Sequence, residues 1–326
     1  MTFTTWSGGI VNYNGLNTGT GFVAGTFLVV WGQGHGDGGD NAYYAFGPIE
    51  SATPAWYRPR NSTVPNPVNV SQDGSGNPVA RHTSNSIAYM PTRNKMITIG
   101  GWGRHSDAGD SSLAHVLDFA QANPNSSLPW ASLGSTTTTI WLACYDAGLD
   151  QVFGPDIGSS NTLHMYNVAT ATSSDRTFGS TSWGMVTGSA CANDDLDSIA
   201  AFWSVNASVL FYDRRNGLAN DYYFPTVSGT PMPNGTAAGM CWDSSRKRFV
   251  FWQSGKTLWF LTRPATNPYA GGNAWVWSST TPGSGSTPDA AQVNGTYGRF
   301  GYSPNAAVEG YTLVNSSSGS VYFFKP

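Results

Sequence analysis

The chain has 326 residues, a net charge of −3 and only 11% charged residues, against about 25% in typical globular proteins. Its 16 Lys and Arg are scattered, which argues against a nucleic-acid partner, because phosphate binding needs clustered basic groups. No apolar run is long enough for a membrane-spanning helix, so no membrane insertion is expected, and an aromatic content of 13% supplies enough large apolar groups to build a core.

Taken in chain order, the first residues, Met1 to Trp6, have neither a basic n-region nor an apolar h-region, and no secretory signal is expected. Thr2-Phe3-Thr4-Thr5-Trp6 instead reads as a strand ending in Trp. Short apolar or alternating runs bounded by Gly, Pro, Asn and Asp follow: Thr26 to Trp31, Ala42 to Phe46, Ala55 to Tyr57, Lys95 to Ile99 and Ala114 to Asp118. Further on come Arg248 to Trp252, Thr257 to Phe260, Ala274 to Trp277, Tyr311 to Val314 and Val321 to Phe324. These are strand signals with turn punctuation, and helical periodicity is nearly absent.

A short element recurs: a small residue, usually an aromatic, then a turn residue. It reads Ala88-Tyr89-Met90-Pro91, Cys144-Tyr145-Asp146, Cys191-Ala192-Asn193, Cys241-Trp242-Asp243 and Gly301-Tyr302-Ser303, with small residues 56, 47, 50 and 60 positions apart. A weaker copy is Gly8-Gly9-Ile10-Val11-Asn12-Tyr13, which makes six. That spacing matches one four-stranded propeller blade plus loops.

The predicted fold is therefore all-β: a single six-bladed β-propeller with blades at about 7–60, 80–133, 139–180, 185–228, 234–280 and 294–326. The last blade lacks a fourth strand, and residues 2–6 are expected to complete it and so remove two sheet edges. Cys144, Cys191 and Cys241 all fall on the small position and are expected to be core residues, not a disulfide or zinc framework. The Trp of each outer strand is expected to pack under the next blade.

The run Val29-Val30-Trp31-Gly32-Gln33-Gly34-His35-Gly36-Asp37, with Asn41 to Tyr44 after it, resembles the kelch-like propeller proteins of tailed bacteriophages. Arg81-His82-Thr83 before an inner strand and Ile99-Gly100-Gly101 after the next add to the resemblance, and the galactose oxidase central domain is a more distant likeness. The first 130 residues carry it best. It implies a virion or phage-encoded accessory protein and does not identify a reaction, since one fold hosts many functions.

Two loops echo each other. Both Gly34 to Asp40 and Arg104 to Asp110 read H-x-D-x-G-D. With Arg81 and His82 from a blade-to-blade loop, the candidate binding residues are His35, Asp37, Asp40, Arg81, His82, His105, Asp107 and Asp110, expected on one face of the ring. Imidazoles and carboxylates in such a cluster could bind sugar hydroxyls, hold a cation or act as acid and base. The same residues could equally be loop architecture, with Asp accepting backbone N–H bonds in glycine-rich turns. No catalytic residue and no cofactor is assigned, and the metal is unknown.

The leading expectation is a non-enzymatic tail, fibre or decoration component of a phage particle that contacts other virion proteins or a host surface glycan, with homo-oligomers within the particle as a possibility. The alternatives are a polysaccharide lyase or hydrolase working with His, Arg or Asp on that face, and an intracellular kelch-type protein-binding module.

Overall fold

A computed structural model describes residues 8–32, 41–61, 72, 75–80, 83, 85–101, 113–121, 130–135, 140–155, 161–177, 189–196, 199–204, 209–213, 222–233, 237–269, 272–291, 295–296, 298–315 and 320–326. Six small antiparallel sheets follow one another along the chain and form a six-bladed β-propeller.

Blade 1 is built from Gly9–Asn12, Phe27–Val30, Tyr44–Gly47 and Ala55–Tyr57, and blade 2 from Ile87–Met90, Lys95–Ile99, Leu113–Asp118 and Trp130–Ser135. Blade 3 comprises Cys144–Asp146, Gln151–Pro155, Thr162–Asn167 and Thr172–Thr177, and blade 4 comprises Ala190–Asp194, Ile199–Trp203, Val209–Asp213 and Tyr222–Tyr223. Blade 5 holds Gly239–Asp243, Arg248–Trp252, Leu258–Thr262 and Trp275–Thr280, and Val227–Gly229 adds a parallel strand to its outer edge. Blade 6 shows three strands among the described residues: Phe300–Ser303, Gly310–Val314 and Val321–Phe324. Residues 2–6, expected to complete it, lie outside the described residues.

The first strand of each blade is innermost. These six strands neighbour one another in blade order, and the sixth touches the first, so the ring is closed at its hub. Because strand side chains alternate between the two faces of a sheet, each blade presents one apolar face to its predecessor and one to its successor. Phe27 and Trp31 of blade 1 meet Leu117 and Trp130 of blade 2. Ile97 and Val116 of blade 2 meet Tyr145 and Tyr166 of blade 3, and Phe153 of blade 3 meets Phe202 and Tyr212 of blade 4. Trp203 and Phe211 of blade 4 meet Phe249 and Trp275 of blade 5. Val250 and Trp252 of blade 5 then meet Phe300 and Tyr311 of blade 6.

At the closing interface, among the described residues, Val314 of blade 6 faces Val11 and Leu28 of blade 1, flanked by Val321 and Phe46, and Asn305 Nδ2 donates across it to Thr26 Oγ1 at 3.1 Å and to Glu50 Oε1 at 2.6 Å.

Two sequence expectations change. Cys144 pairs with Phe153 and Cys241 with Val250, one step before the last pair of each hairpin's inner ladder but one, whereas the residue at that register in blade 4 is Ala192, paired with Ala201. Cys191 lies one residue earlier and so points the other way, into the blade 3–4 interface, while Ala192 faces blade 5. A one-residue shift flips the face. All three thiols are free and buried, and burial pushes the Cys241 thiol well up from its ordinary value.

The outer-strand tryptophans pack against the preceding blade and not the next. Trp130 lies 5.0 Å from Trp31 of blade 1, ring centre to ring centre, and Trp277 lies 6.1 Å from Trp203 of blade 4. The cause is register. Trp277 sits directly opposite Leu261, and residues directly opposite share a sheet face, so Trp277 joins Leu261 and Phe251 on the backward face. Trp56 of blade 1 is different, 39% exposed and resting on Phe46 of its own sheet.

A candidate binding vestibule at one mouth of the channel

The hub strands leave a channel whose wall is drawn from all six blades, including Ile10, Ala88, Cys144, Ala192, Cys241 and Gly301. Small residues dominate because six strands converge there: a Cβ on Gly301 would stand 2.6 Å from Val11, and one on Gly298 would stand 2.1 Å from the Gly9 carbonyl oxygen. Asn85 reaches into this bore and donates from Nδ2 to the Cys191 sulfur at 3.3 Å, three connections away along the chain.

At one end the bore opens into a vestibule of about 230 Å³. This is the end at which each first strand turns into its second. The turn chemistry repeats around the ring. The last residue of the first strand caps its own turn: Asn12 Oδ1 accepts from Asn14 N, and Asp146 Oδ1 accepts from Gly148 N at 2.7 Å. Asp194 Oδ1 accepts from Leu196 N at 2.8 Å, Asp243 Oδ1 from Arg246 N at 3.0 Å and Ser303 Oγ from Asn305 N. Short side-chain acceptors do this well because they reach the backbone two or three residues on. Blade 2, with Met90 at the position, uses a short 3-10 turn over Pro91–Arg93 and a left-handed Asn94 at φ 47° instead.

The residue just before each cap lines the vestibule. These are Val11, Tyr89, Tyr145, Asn193, Trp242 and Tyr302, one per blade, and Tyr13 joins them from blade 1. Each larger member also leans on the preceding blade. The Tyr89 hydroxyl donates to Asn12 Oδ1 at 3.0 Å, Asn193 Nδ2 donates to the Tyr145 carbonyl at 3.1 Å, and the Tyr302 hydroxyl oxygen lies 2.7 Å from the Ser245 hydroxyl. Tyr13 and Tyr89 meet edge-to-face at 5.4 Å. The rings are thus fixed at their outer ends and present their remaining edges and faces to the cavity.

Polar groups are few and mostly neutral. Asn193 also donates to Asp195 Oδ1 at 2.8 Å, and Asp195 is the one charged side chain among the described residues of the lining. Among the described residues, the buried indole N–H of Trp242 and the buried amide oxygen of Asn193 have no hydrogen-bond partner. Two ion pairs flank the mouth. Arg93 pairs with Asp150, which also accepts from the Tyr145 hydroxyl at 2.8 Å. Arg246 pairs with Glu309 at 2.9 Å, and Glu309 in turn accepts from the Tyr302 hydroxyl. The bonds from Arg246, Tyr302 and Ser245 hold the Glu309 carboxyl down at about 2.

Burial raises the tyrosines. Tyr13 is pushed up to about 12 by desolvation and then by the Asp195 charge, which lies in the blade opposite its own. Tyr89, Tyr145 and Tyr302 are raised chiefly by desolvation. Near neutral pH these are protonated phenols, able to donate, accept and stack but not to act as general bases. Two exposed leucines, Leu149 at 50% and Leu196 at 53%, stand on the turns of blades 3 and 4 at this same end.

All eight candidate residues singled out above lie outside the described residues: His35, Asp37, Asp40, Arg81, His82, His105, Asp107 and Asp110. The described strand ends that bracket the two echoing loops, Val30 and Ile99, belong to the end of the channel away from the tyrosines. Among the described residues no three His, Cys, Asp or Glu converge as a metal site would require.

The vestibule itself had a visible trace in the sequence. The aromatic that follows the small residue in the repeat is Tyr89, Tyr145, Trp242 and Tyr302 in four copies. Read one blade at a time it is a core residue, and only the closed ring shows that these positions share a mouth. No protein-family model matches the chain. No curated protein matches it either.

Proposed function

We propose that this chain is a non-enzymatic binding module whose ligand seats in the vestibule, and that it serves as an accessory component of a phage particle. One observation carries the first half: tyrosines and a tryptophan from four blades, joined by Tyr13, converge on a single opening with neutral amide and hydroxyl groups between them. Clefts of this kind, apolar and aromatic with a few convergent polar groups, are the usual form of a ligand site. The raised phenols stay protonated near neutral pH and so can donate hydrogen bonds to a ligand. Leu149 and Leu196 beside the mouth offer apolar contact to whatever carries the ligand.

The second half rests on the kelch-like resemblance of residues 29–44 and on the surface chemistry. A chain rich in neutral polar residues suits a particle that persists outside cells. Partners would be other virion proteins in the tail, fibre or decoration layer, and a host surface glycan.

The test is at the particle. Mass spectrometry of purified virions should find the chain, and free protein should compete with particles for attachment to host cells, with competition lost in Tyr145→Ala. Absence from purified particles would end the virion claim. Competition that persists undiminished in Tyr145→Ala would end the assignment of the binding site.

A further inference from the structure

We propose that the outer edge of blade 6 is a docking slot for an extended, acid-ended segment of a partner protein, which adds to the sheet as a fourth strand. The slot lies on the rim and shares no lining residue with the vestibule.

The edge is open. Five blades carry four strands or more, and blade 6 shows three among the described residues. Its third strand, Val321–Phe324, is bonded along one side to Gly310–Val314, and its backbone makes no other hydrogen bond among the described residues. In an antiparallel strand paired on one side only, every second residue turns its N–H and C=O outward. Such an edge offers a ready ladder to another extended chain, which is the basis of recognition by strand addition.

The edge is also walled. A cavity of about 530 Å³ is lined by Val321 to Lys325 without a gap, and by Lys256, Pro282 and Ser284 to Ser286 of the neighbouring blade 5 segment. Val321 packs toward blade 1 and Tyr322 toward blade 5. A cavity that touches both runs along the edge of the strand, not over one of its faces. Thr257 Oγ1 lies 2.8 Å from Thr281 Oγ1, which ties the Lys256 turn to the loop beginning at Pro282 and holds the far wall in place. The half-buried side chains of Tyr322 and Phe323 give an incoming strand large apolar neighbours on either face.

Charge sets the partner. Lys256 stands in the turn between the second and third strands of blade 5, at the end of the ring where Val321 begins its strand. Lys325 follows Phe324 at the opposite end. The two lysines therefore bracket the slot. Among the described residues neither makes an ion pair or a hydrogen bond, the terminal carboxylate of Pro326 included, and no acidic side chain lines the cavity. A strand of about five residues with a carboxylate near each end spans the same length at ~3.3 Å per residue and answers both cations. Residues 2–6, the other candidate for this edge, are Thr-Phe-Thr-Thr-Trp and would leave both ammonium groups unanswered.

The experiment selects a displayed library of randomised octapeptides against the full chain and against the double variant Lys256→Glu with Lys325→Glu. Wild type is expected to enrich Asp or Glu near both peptide ends, and the double variant Lys or Arg. The best acid-ended peptide should bind wild type about tenfold tighter than its lysine-ended twin at low salt, the advantage shrinking as salt is added. Its binding should slow hydrogen exchange at Val321–Phe324 and leave the hub strand Phe300–Ser303 unchanged. The double variant is checked for an unchanged unfolding midpoint.

Failure to enrich any peptide, the same end charges from both proteins, or binding without slowed exchange at Val321–Phe324 would overturn the slot. Two other occupants have their own signatures, and either would overturn the partner. If exchange at this strand is already slow in the free chain and speeds up when residues 2–6 are deleted, the chain fills its own edge. If exchange slows only as the free protein is concentrated, a second copy fills it.

Discussion

Replacing Asp243 by asparagine should cost the propeller about 3 kcal/mol. Asp243 has no exposed surface and ends the inner strand of blade 5. Its Oδ1 caps the turn through the Arg246 amide at 3.0 Å, while its Oδ2 accepts from Arg248 Nε at 3.2 Å and from the Tyr311 hydroxyl of blade 6. Arg248 also donates to Tyr311 at 2.8 Å and lies 3.7 Å over the Phe260 ring, so it is held in place and cannot easily turn away. Asparagine keeps the capping oxygen and puts an NH₂ where three donors converge, Arg246 Nη1 at 3.4 Å being the third. Bonds to a charged acceptor are worth about 1.5–3 kcal/mol each, and breaking a buried pair costs about 3–5 kcal/mol. The 16% side-chain exposure of Arg248 lets water repair part of the damage, which places the sum near the bottom of that range. Urea unfolding followed by tryptophan fluorescence would read the change as a lower midpoint at constant m-value. Combining Asp243→Asn with Tyr311→Phe should cost less than the two single changes added, by at least about 0.5 kcal/mol, because they share a bond. A loss under about 1 kcal/mol, or strict additivity, would show that this cluster does not clasp blade 5 to blade 6.

Gly154 in blade 3 offers a sharper steric test. A Cβ there would stand 1.9 Å from the Leu142 carbonyl oxygen, which belongs to backbone, so Gly154→Ala should lower stability by at least about 2 kcal/mol, within the range of overpacking costs, and normal stability would mean that the two segments are not in contact. Alkali should weaken the fold. The phenols of Tyr13, raised to about 12, and of Tyr89, Tyr302 and Tyr311, raised further by burial, ionise more readily once unfolded. Stability is then constant below about pH 10 and falls as pH climbs through the folded values. Melting temperature and phenolate absorbance should change together, and a full set of phenolates titrating near 10 in a folded protein would contradict the burial.

Much of the fold can be read locally. The Lys95–Ile99 and Arg248–Trp252 strands match their sequence patterns end to end, because a run of large apolar and β-branched residues between turn residues has few other places to go. The turn signal after Tyr145 and Trp242 is equally local: Asp146 and Asp243 bond to backbone two or three residues on. Parity is not local. Sequence spacing alone cannot tell Cys191 from Ala192 at the hub, since a step of one residue exchanges the faces of the whole strand, and only pairing with Ala201 and Phe202 fixes which points where. The backward set of Trp130 and Trp277 has the same origin. The vestibule is the extreme case. Its residues lie between Val11 and Pro304, two or three to a blade, and each looks like an ordinary core or turn residue in its own repeat. The amino-acid order determined six sheets and the chemistry of their turns. Closure of the ring decided that Tyr13, Tyr89, Tyr145, Trp242 and Tyr302 face one opening, because a shared mouth is a property of how six sheets meet and of no single one of them.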